Sequence, residues 1–314
     1  MNFDSFKVIL PGGAGLVGQN LTVRLKARGF SKIVVLDKHA ANLDIMRRLH
    51  PELTIEYADL SQPGEWRQHF SGATAVVMLQ AQIGGIDLSE FERNNLDATR
   101  HVLDAIQSLG PTQLIHISSS VVNASAEDFY TRTKIAQEQM VLGSGLPALI
   151  LRPTLMFGWF DRKHLGWLSR FMTKVPIFPI PGNGKFRRQP LYVGDFCDII
   201  ISSIASGRSQ GIYNISGHEM IDYIDIIREI RGAIRARTLI LRIPYPVFYS
   251  LLWTWSRFDR NPPFTTQQLQ ALSANDEFEV IDWPTLFGVR STPFKEAVAE
   301  TFCDPLYSHV TLSF

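Results

Sequence analysis

Eleven residues near the start, Val8-Ile-Leu-Pro-Gly-Gly-Ala-Gly-Leu-Val-Gly18, constrain the fold more than any other part of the chain. A β-branched apolar run passes through a glycine-rich turn into a helical pattern, with glycines at 12, 15 and 18. The chain must turn sharply at Gly12, bring bare backbone close to a ligand at Gly15, and pack helix on strand at Gly18. The helix start at Leu16 and Val17 exposes N–H groups, and the helix dipole favours negative charge there. The spacing therefore predicts a dinucleotide pyrophosphate on Gly12, Gly15, Leu16, Val17 and Gly18.

The following pattern agrees with such a loop. Strand-like runs occur at 7–11, 32–36, 53–57, 75–79, 113–118 and 148–151, with helical patterns at 16–28, 40–49, 88–109 and 130–142 between them. This alternation predicts an α/β fold, a doubly wound parallel sheet of Rossmann type. After about residue 155 the rhythm breaks into shorter pieces, and Pro and Gly cluster at 175–184. We expect a dinucleotide-binding domain over 1–155. Residues 156–314 should form a smaller mixed α/β cap that binds substrate and returns segments to the sheet.

Asp37 ends the second strand, 19 residues after Gly18. A carboxylate there accepts both adenosine ribose hydroxyls and repels a 2′-phosphate, so NAD is expected over NADP. Lys38 and His39 follow and soften that preference, and Asp59 and Leu60 follow the third strand at the adenine edge.

Tyr130 and Lys134 stand four apart on a helical pattern, so they share a face. A nearby ammonium favours the phenolate and brings the tyrosine toward proton exchange at neutral pH. Ser118, Ser119 and Ser120 end the preceding strand. Strand alternation puts Ser118 and Ser120 on one face, and Ser120 is the expected hydroxyl donor to the substrate oxygen.

Together these residues resemble the extended short-chain dehydrogenase/reductase superfamily, in its NAD-dependent epimerase/dehydratase branch. Ser120, Tyr130 and Lys134 fall on the family's catalytic trio. Val77–Ala81 is similar to its fourth-strand segment, which implies cofactor contacts at Leu79, Gln80 and Ala81. Asn95–Thr99 is similar to the N-x-x-G-T helix segment, and Arg152–Gly158 to the segment bordering nicotinamide, implying roles for Asn95 and Pro153. Arg188–Asp195 resembles a later motif whose arginine meets a diphosphate in nucleotide-sugar members. That implies Arg188, with Arg187 and Tyr192, as substrate residues. Pro11, Gln80 and Ala98 depart from the family pattern, and Ser120 lies only ten residues before Tyr130 where extended members insert a longer loop.

The resemblance implies an enzyme, an oxidoreductase or epimerase using NAD on a hydroxyl or keto centre of a nucleotide-linked sugar. The alternative is a cofactor-binding protein of the branch related to the accessory subunit of respiratory complex I, with a structural or redox-sensing role and little turnover.

Composition narrows the partners. Lys and Arg number 31 against 30 Asp and Glu, which argues against nucleic-acid binding. The two cysteines, Cys197 and Cys303, lack metal-ligand spacing, read as buried thiols, and fit a reducing, cytoplasmic setting. No metal is expected, and a homodimer is compatible with the sequence. The apolar stretch 243–255 is too short to span a bilayer and reads as a buried helix, with an interfacial membrane patch or subunit contact as the rival.

Overall fold

The computed structural model describes residues 3–110, 112–123, 128–258, 265–273 and 278–313. Six strands, β1 (Lys7–Pro11), β2 (Lys32–Asp37), β3 (Thr54–Tyr57), β4 (Ala75–Met78), β5 (Gln113–Ile117) and β6 (Ala148–Pro153), lie parallel in one sheet. Helices α1 (Leu16–Ala27), α2 (Ala40–Leu49), α3 (Leu88–Phe91), α4 (Ala98–Leu109) and α5 (Phe129–Gly143) fall between them.

Alternation along the strands builds two apolar layers. Val8, Leu10, Val35, Val77 and Ile115 face one side and meet Leu21 and Leu25 of α1. Ile9, Val34, Val76 and Leu114 face the other and meet Val102 and Ile106 of α4. Burial on both faces requires these nearly unbroken apolar runs.

Beyond residue 155 come β7 (Met156–Phe157), α6 (Leu165–Lys174), β8 (Ile177–Pro181), β9 (Arg187–Arg188) and β10 (Leu191–Tyr192). Then follow α7 (Val193–Ser206), β11 (Gly211–Ile215), β12 (Ile221–Asp222), α8 (Tyr223–Ala233), β13 (Leu239–Ile243) and α9 (Tyr245–Phe258). The chain ends with α10 (Thr266–Ser273), α11 (Trp283–Phe287) and α12 (Phe294–Cys303).

Strand β11 pairs with β6, giving the seven-stranded order β11-β6-β5-β4-β1-β2-β3. Phe196 and Ile200 of α7 join the apolar layer that holds α1. A separate core of Phe157, Phe178, Ile180, Ile224, Ile227 and Phe294 holds the cap. The order reverses between β1 and β4, and ligands bind such sheets at that crevice, beyond the carboxyl ends of the strands.

Three expectations differ from what the chain does. The long helical pattern 88–109 is interrupted by a π-helical turn, Glu92–Asp97, which carries Asn95 inward, fully buried. Such turns relax the helical ladder so that one side chain can be re-aimed. Cys197 is buried, but Cys303 is exposed at the end of α12. The stretch expected as a buried helix is α9, yet Phe248 is its one buried residue.

Candidate active site

The loop after β1 closes at the sheet crevice. Gly12 has φ +74, and a Cβ there would lie 2.3 Å from the Gln80 backbone nitrogen beyond β4. At Gly18 a Cβ would lie 2.1 Å from the Gly13 carbonyl oxygen, so α1 packs on the loop only with glycine at that position. Gly15 differs in kind. Its Cβ would have no neighbour nearer than the Gly12 oxygen at 3.9 Å. Gly15 caps α1 without a side-chain hydrogen bond, so the first-turn N–H groups around Leu16, Val17 and Gly18 have no side-chain cap. An open cradle with backbone donors fits a pyrophosphate.

Asp37 ties this loop to β2. One carboxylate oxygen accepts from the Ala14 N–H at 3.0 Å and the other from the His39 N–H at 2.9 Å. A carboxylate retains further lone pairs for ribose hydroxyls. Lys38 donates to Asn94 at 2.5 Å and lies 3.8 Å from Asp59. Asp59 accepts from the Ser61 amide and hydroxyl. Partial burial opposes its ionisation, but those bonds and Lys38 hold its carboxyl below the usual range.

The Leu60 side chain is buried in the apolar core under the sheet, so only its backbone is left to face a ligand. Leu79 is tethered by its N–H to the Pro11 carbonyl, Ala81 is exposed, and Pro153 is buried at the end of β6 opposite Ile215.

Tyr130 and Lys134 lie one turn apart on α5, whose N-terminus is capped by Asp128 accepting from the Thr131 N–H. Burial raises the Tyr130 pKa, and the neighbouring Ser119 hydroxyl pulls it partly back. Lys134 is 1% exposed and donates to the Ile117 carbonyl at 3.0 Å and to Gln137 at 2.6 Å. Burial lowers its pKa to about 7, against the opposing pull of Glu138.

The three serines divide differently from strand alternation, because β5 ends at Ile117. Ser118 donates to Glu138 at 2.5 Å, and Glu138 in turn pairs with Arg152. Ser119 meets Tyr130. Ser120, the expected donor, opens a 3-10 turn, Ser120–Asn123, and Ser119 is the serine whose presence lowers the Tyr130 pKa. The residues between Asn123 and Asp128 lie outside the described part.

Behind the pair, Gln137 donates to Thr99 at 2.8 Å and to the Gln80 carbonyl at 3.3 Å. Asn95 accepts from the Gln82 N–H at 2.7 Å and donates to Thr133 at 2.9 Å. The π-helical turn therefore fastens α5 to the loop after β4. Sequence reasoning missed Gln137 and Thr133, although both lie at helical spacing from Tyr130 and Lys134.

Of the residues expected at the substrate, Arg187 and Arg188 form β9, which pairs with β12. Arg188 donates to the carbonyls of Arg187 and, in α10, Leu272. Tyr192 is 4% exposed, and its hydroxyl accepts from Arg24, which also binds Glu300 at 2.7 Å. Burial drives its pKa up, so the phenol is neutral, and the residue lines a small pocket with Asp195, Thr292 and Phe294.

The doubly wound sheet thus carries a glycine cradle after β1, an acid closing β2 and a Tyr–Lys pair on α5. The chain belongs to the NAD dependent epimerase/dehydratase family, whose model matches residues 8–216.

Among curated proteins it is 24% identical over 217 residues to NADH dehydrogenase [ubiquinone] 1 alpha subcomplex subunit 9, mitochondrial, of Arabidopsis thaliana, covering 66% of this chain. That match spans about half, 54%, of the Arabidopsis protein's length. The chain is also 24% identical over 300 residues to 3 beta-hydroxysteroid dehydrogenase/Delta 5-->4-isomerase of Mycobacterium tuberculosis, covering 85% of this chain and 80% of that one. Among solved structures, the Bordetella bronchiseptica enzyme WbmF in complex with NAD+ and UDP superposes with a TM-score of 0.71 at 16% identity, over 95% of this chain and 92% of that one.

Proposed function

We propose that this chain is an NAD(H)-dependent oxidoreductase that interconverts a secondary alcohol and a ketone, with Tyr130 as the proton-transferring group. The observation that carries the reading is the placement of Tyr130 one helical turn from buried Lys134 on α5, with Ser119 beside the phenol.

The cofactor-holding residues are the N–H groups of Leu16, Val17 and Gly18 for the pyrophosphate, Asp37 for the adenosine ribose, and Asp59 for the adenine edge. Lys134 serves the nicotinamide ribose. NAD, when bound, supplies the hydride acceptor, and NADH the donor.

The chain's own residues handle the proton. In oxidation the Tyr130 phenolate would take the substrate hydroxyl proton. In reduction the phenol returns that proton to the carbonyl oxygen. Ser119, beside the phenol, would donate its one hydroxyl proton to the reacting oxygen. Lys134 stabilises the phenolate electrostatically, and Gln137 and Asn95 hold α5 in place.

For the substrate, the motif around Arg188 supports a nucleotide-linked sugar, because a guanidinium grips a diphosphate bidentately. An apolar hydroxyl or keto compound is the second reading. It is favoured by the bonds that already engage the Arg188 guanidinium, to the Leu272 and Arg187 carbonyls, and by the likeness to a steroid dehydrogenase.

Turnover assays with NADH, run in parallel on 4-keto nucleotide sugars and on apolar ketones, test the function and separate the two. The nucleotide-sugar reading expects Arg188→Ala to raise KM at least ~10-fold, the loss of a charge-assisted pair worth ~1.5–3 kcal/mol. An unchanged KM, or turnover confined to apolar ketones, removes it. Absence of turnover in both sets, with tight NADH binding, would favour a cofactor-binding protein instead.

A further inference from the structure

Helix α9 carries an unusual load of exposed apolar side chains. Val247, Leu251, Trp255 and Phe258 recur at helical spacing along one stripe, and each is at least half exposed, Phe258 at 87%. Trp253 is half exposed and lies under the Arg257 guanidinium, 4.6 Å from ring centroid to charge. The helix continues directly from β13, where Leu239 and Leu241 are exposed beside Ile177 of the parallel partner β8. Strand and helix, adjacent along the chain, thus both expose apolar side chains, and clusters of such side chains mark interaction sites.

Arginine dominates the charge along this segment. From Ile230 to Phe258 the chain has five arginines, 231, 235, 237, 242 and 257, and no Asp or Glu, in a protein whose formal net charge is only +1. A groove of about 580 Å³ brings both properties together, since Arg228, Arg231 and Arg242 line it with Ile224, Leu239 and Leu241. Asp225 pairs with Arg228 at 2.8 Å and leaves the other two as the groove's cationic walls. No helix among the described residues is long and apolar enough to cross a membrane.

We propose that the α9–β13 surface docks this protein on an anionic lipid bilayer as a peripheral, interfacial contact. The stripe of Leu251, Trp255 and Phe258 enters the boundary between headgroups and acyl chains, where tryptophan and long aliphatic side chains are favoured. Arg231 and Arg242 meet lipid phosphates in the groove, and Arg235 and Arg237 add electrostatic attraction. A protein partner of acidic surface would suit the arginines, but it would not call for so long an aromatic stripe on a single helix. The docking does not depend on the substrate or on Tyr130.

Co-sedimentation of the full chain with extruded vesicles tests this, comparing pure phosphatidylcholine with a mixture containing phosphatidylglycerol. We expect partition onto the anionic vesicles at least ~10-fold above the neutral ones, falling as salt screens the charge. Leu251→Gln/Phe258→Gln should abolish partition, and Arg235→Gln/Arg237→Gln should lower the anionic preference about tenfold. These side chains are peripheral, and thermal melts of the variants should match wild type.

Failure to bind either vesicle overturns the proposal, as does equal binding to both. So does a wild-type dimer that Leu251→Gln/Phe258→Gln converts to monomer without any vesicle binding, which would make the surface a contact between two copies.

Discussion

The Ser119 hydroxyl stands beside the Tyr130 phenol, across a loop that begins where β5 ends and finishes at the start of α5. Its presence opposes the rise that burial imposes on the phenol. Ser119→Ala should therefore lower turnover by about 10–100-fold and move the alkaline limb of the rate profile to higher pH. Ser120→Ala should leave both within about twofold, since Ser120 belongs to the neighbouring 3-10 turn. Parallel pH–rate profiles of the two variants check this, and the reverse pattern would return the role to Ser120.

The direction of the Tyr130 shift sets a pH dependence. A raised pKa keeps the phenol protonated at neutral pH, as the reductive direction requires. Ketone reduction should be flat through neutrality and fall at alkaline pH, while alcohol oxidation rises over the same range. Initial rates in both directions from pH 6 to 10 test it.

Lys134 adds a stability signature. Its pKa is lowered by burial to about 7 from 10.5, so protonation is unfavourable in the folded state. Below about pH 7 both folded and unfolded chains hold the proton and the penalty is fully present. Between about pH 7 and 10.5 the unfolded chain binds more protons, so this group's contribution to stability rises with pH. Lys134→Met should lose that slope, a difference on the order of 1–3 kcal/mol across the window after allowance for relaxation around the buried charge. Denaturant midpoints of both proteins at pH 7 and pH 10 measure it.

The glycines separate fold from binding. A Cβ on Gly12 meets Gln80 backbone at 2.3 Å with φ +74, so Gly12→Ala should destabilise the protein by more than ~1 kcal/mol. Gly15 faces open space, so Gly15→Ala should leave the melting temperature nearly unchanged while weakening NADH at least ~10-fold. Thermal melts with and without NADH distinguish the two. Asp37→Ala should weaken NAD more than NADP, with some loss for both because Asp37 also holds the Ala14 amide.

The sheet and the cofactor loop were legible in the sequence because their constraints are local: unbroken apolar runs, glycine at fixed intervals and an acid at a strand end. The Tyr–Lys pair was legible for the same reason, as one helical turn sets its spacing. The serine assignment was not, because alternation ends with β5 at Ile117 and the chain turns immediately afterwards. Tyr192 sits in a motif at the right distance from Arg188, yet its hydroxyl points to Arg24, 168 residues earlier in sequence. Helix α9 reads as buried from hydrophobicity alone, since burial depends on what packs above a helix and no local pattern encodes that.

The central claim, that Tyr130 moves the substrate proton, is tested most directly by Tyr130→Phe. NADH binding, read by fluorescence titration, should stay within about twofold of wild type, while turnover of the best ketone falls 10²–10⁴-fold, an order of magnitude typical of general acid–base catalysis. Full turnover in that variant, with NADH bound as in wild type, would contradict the account.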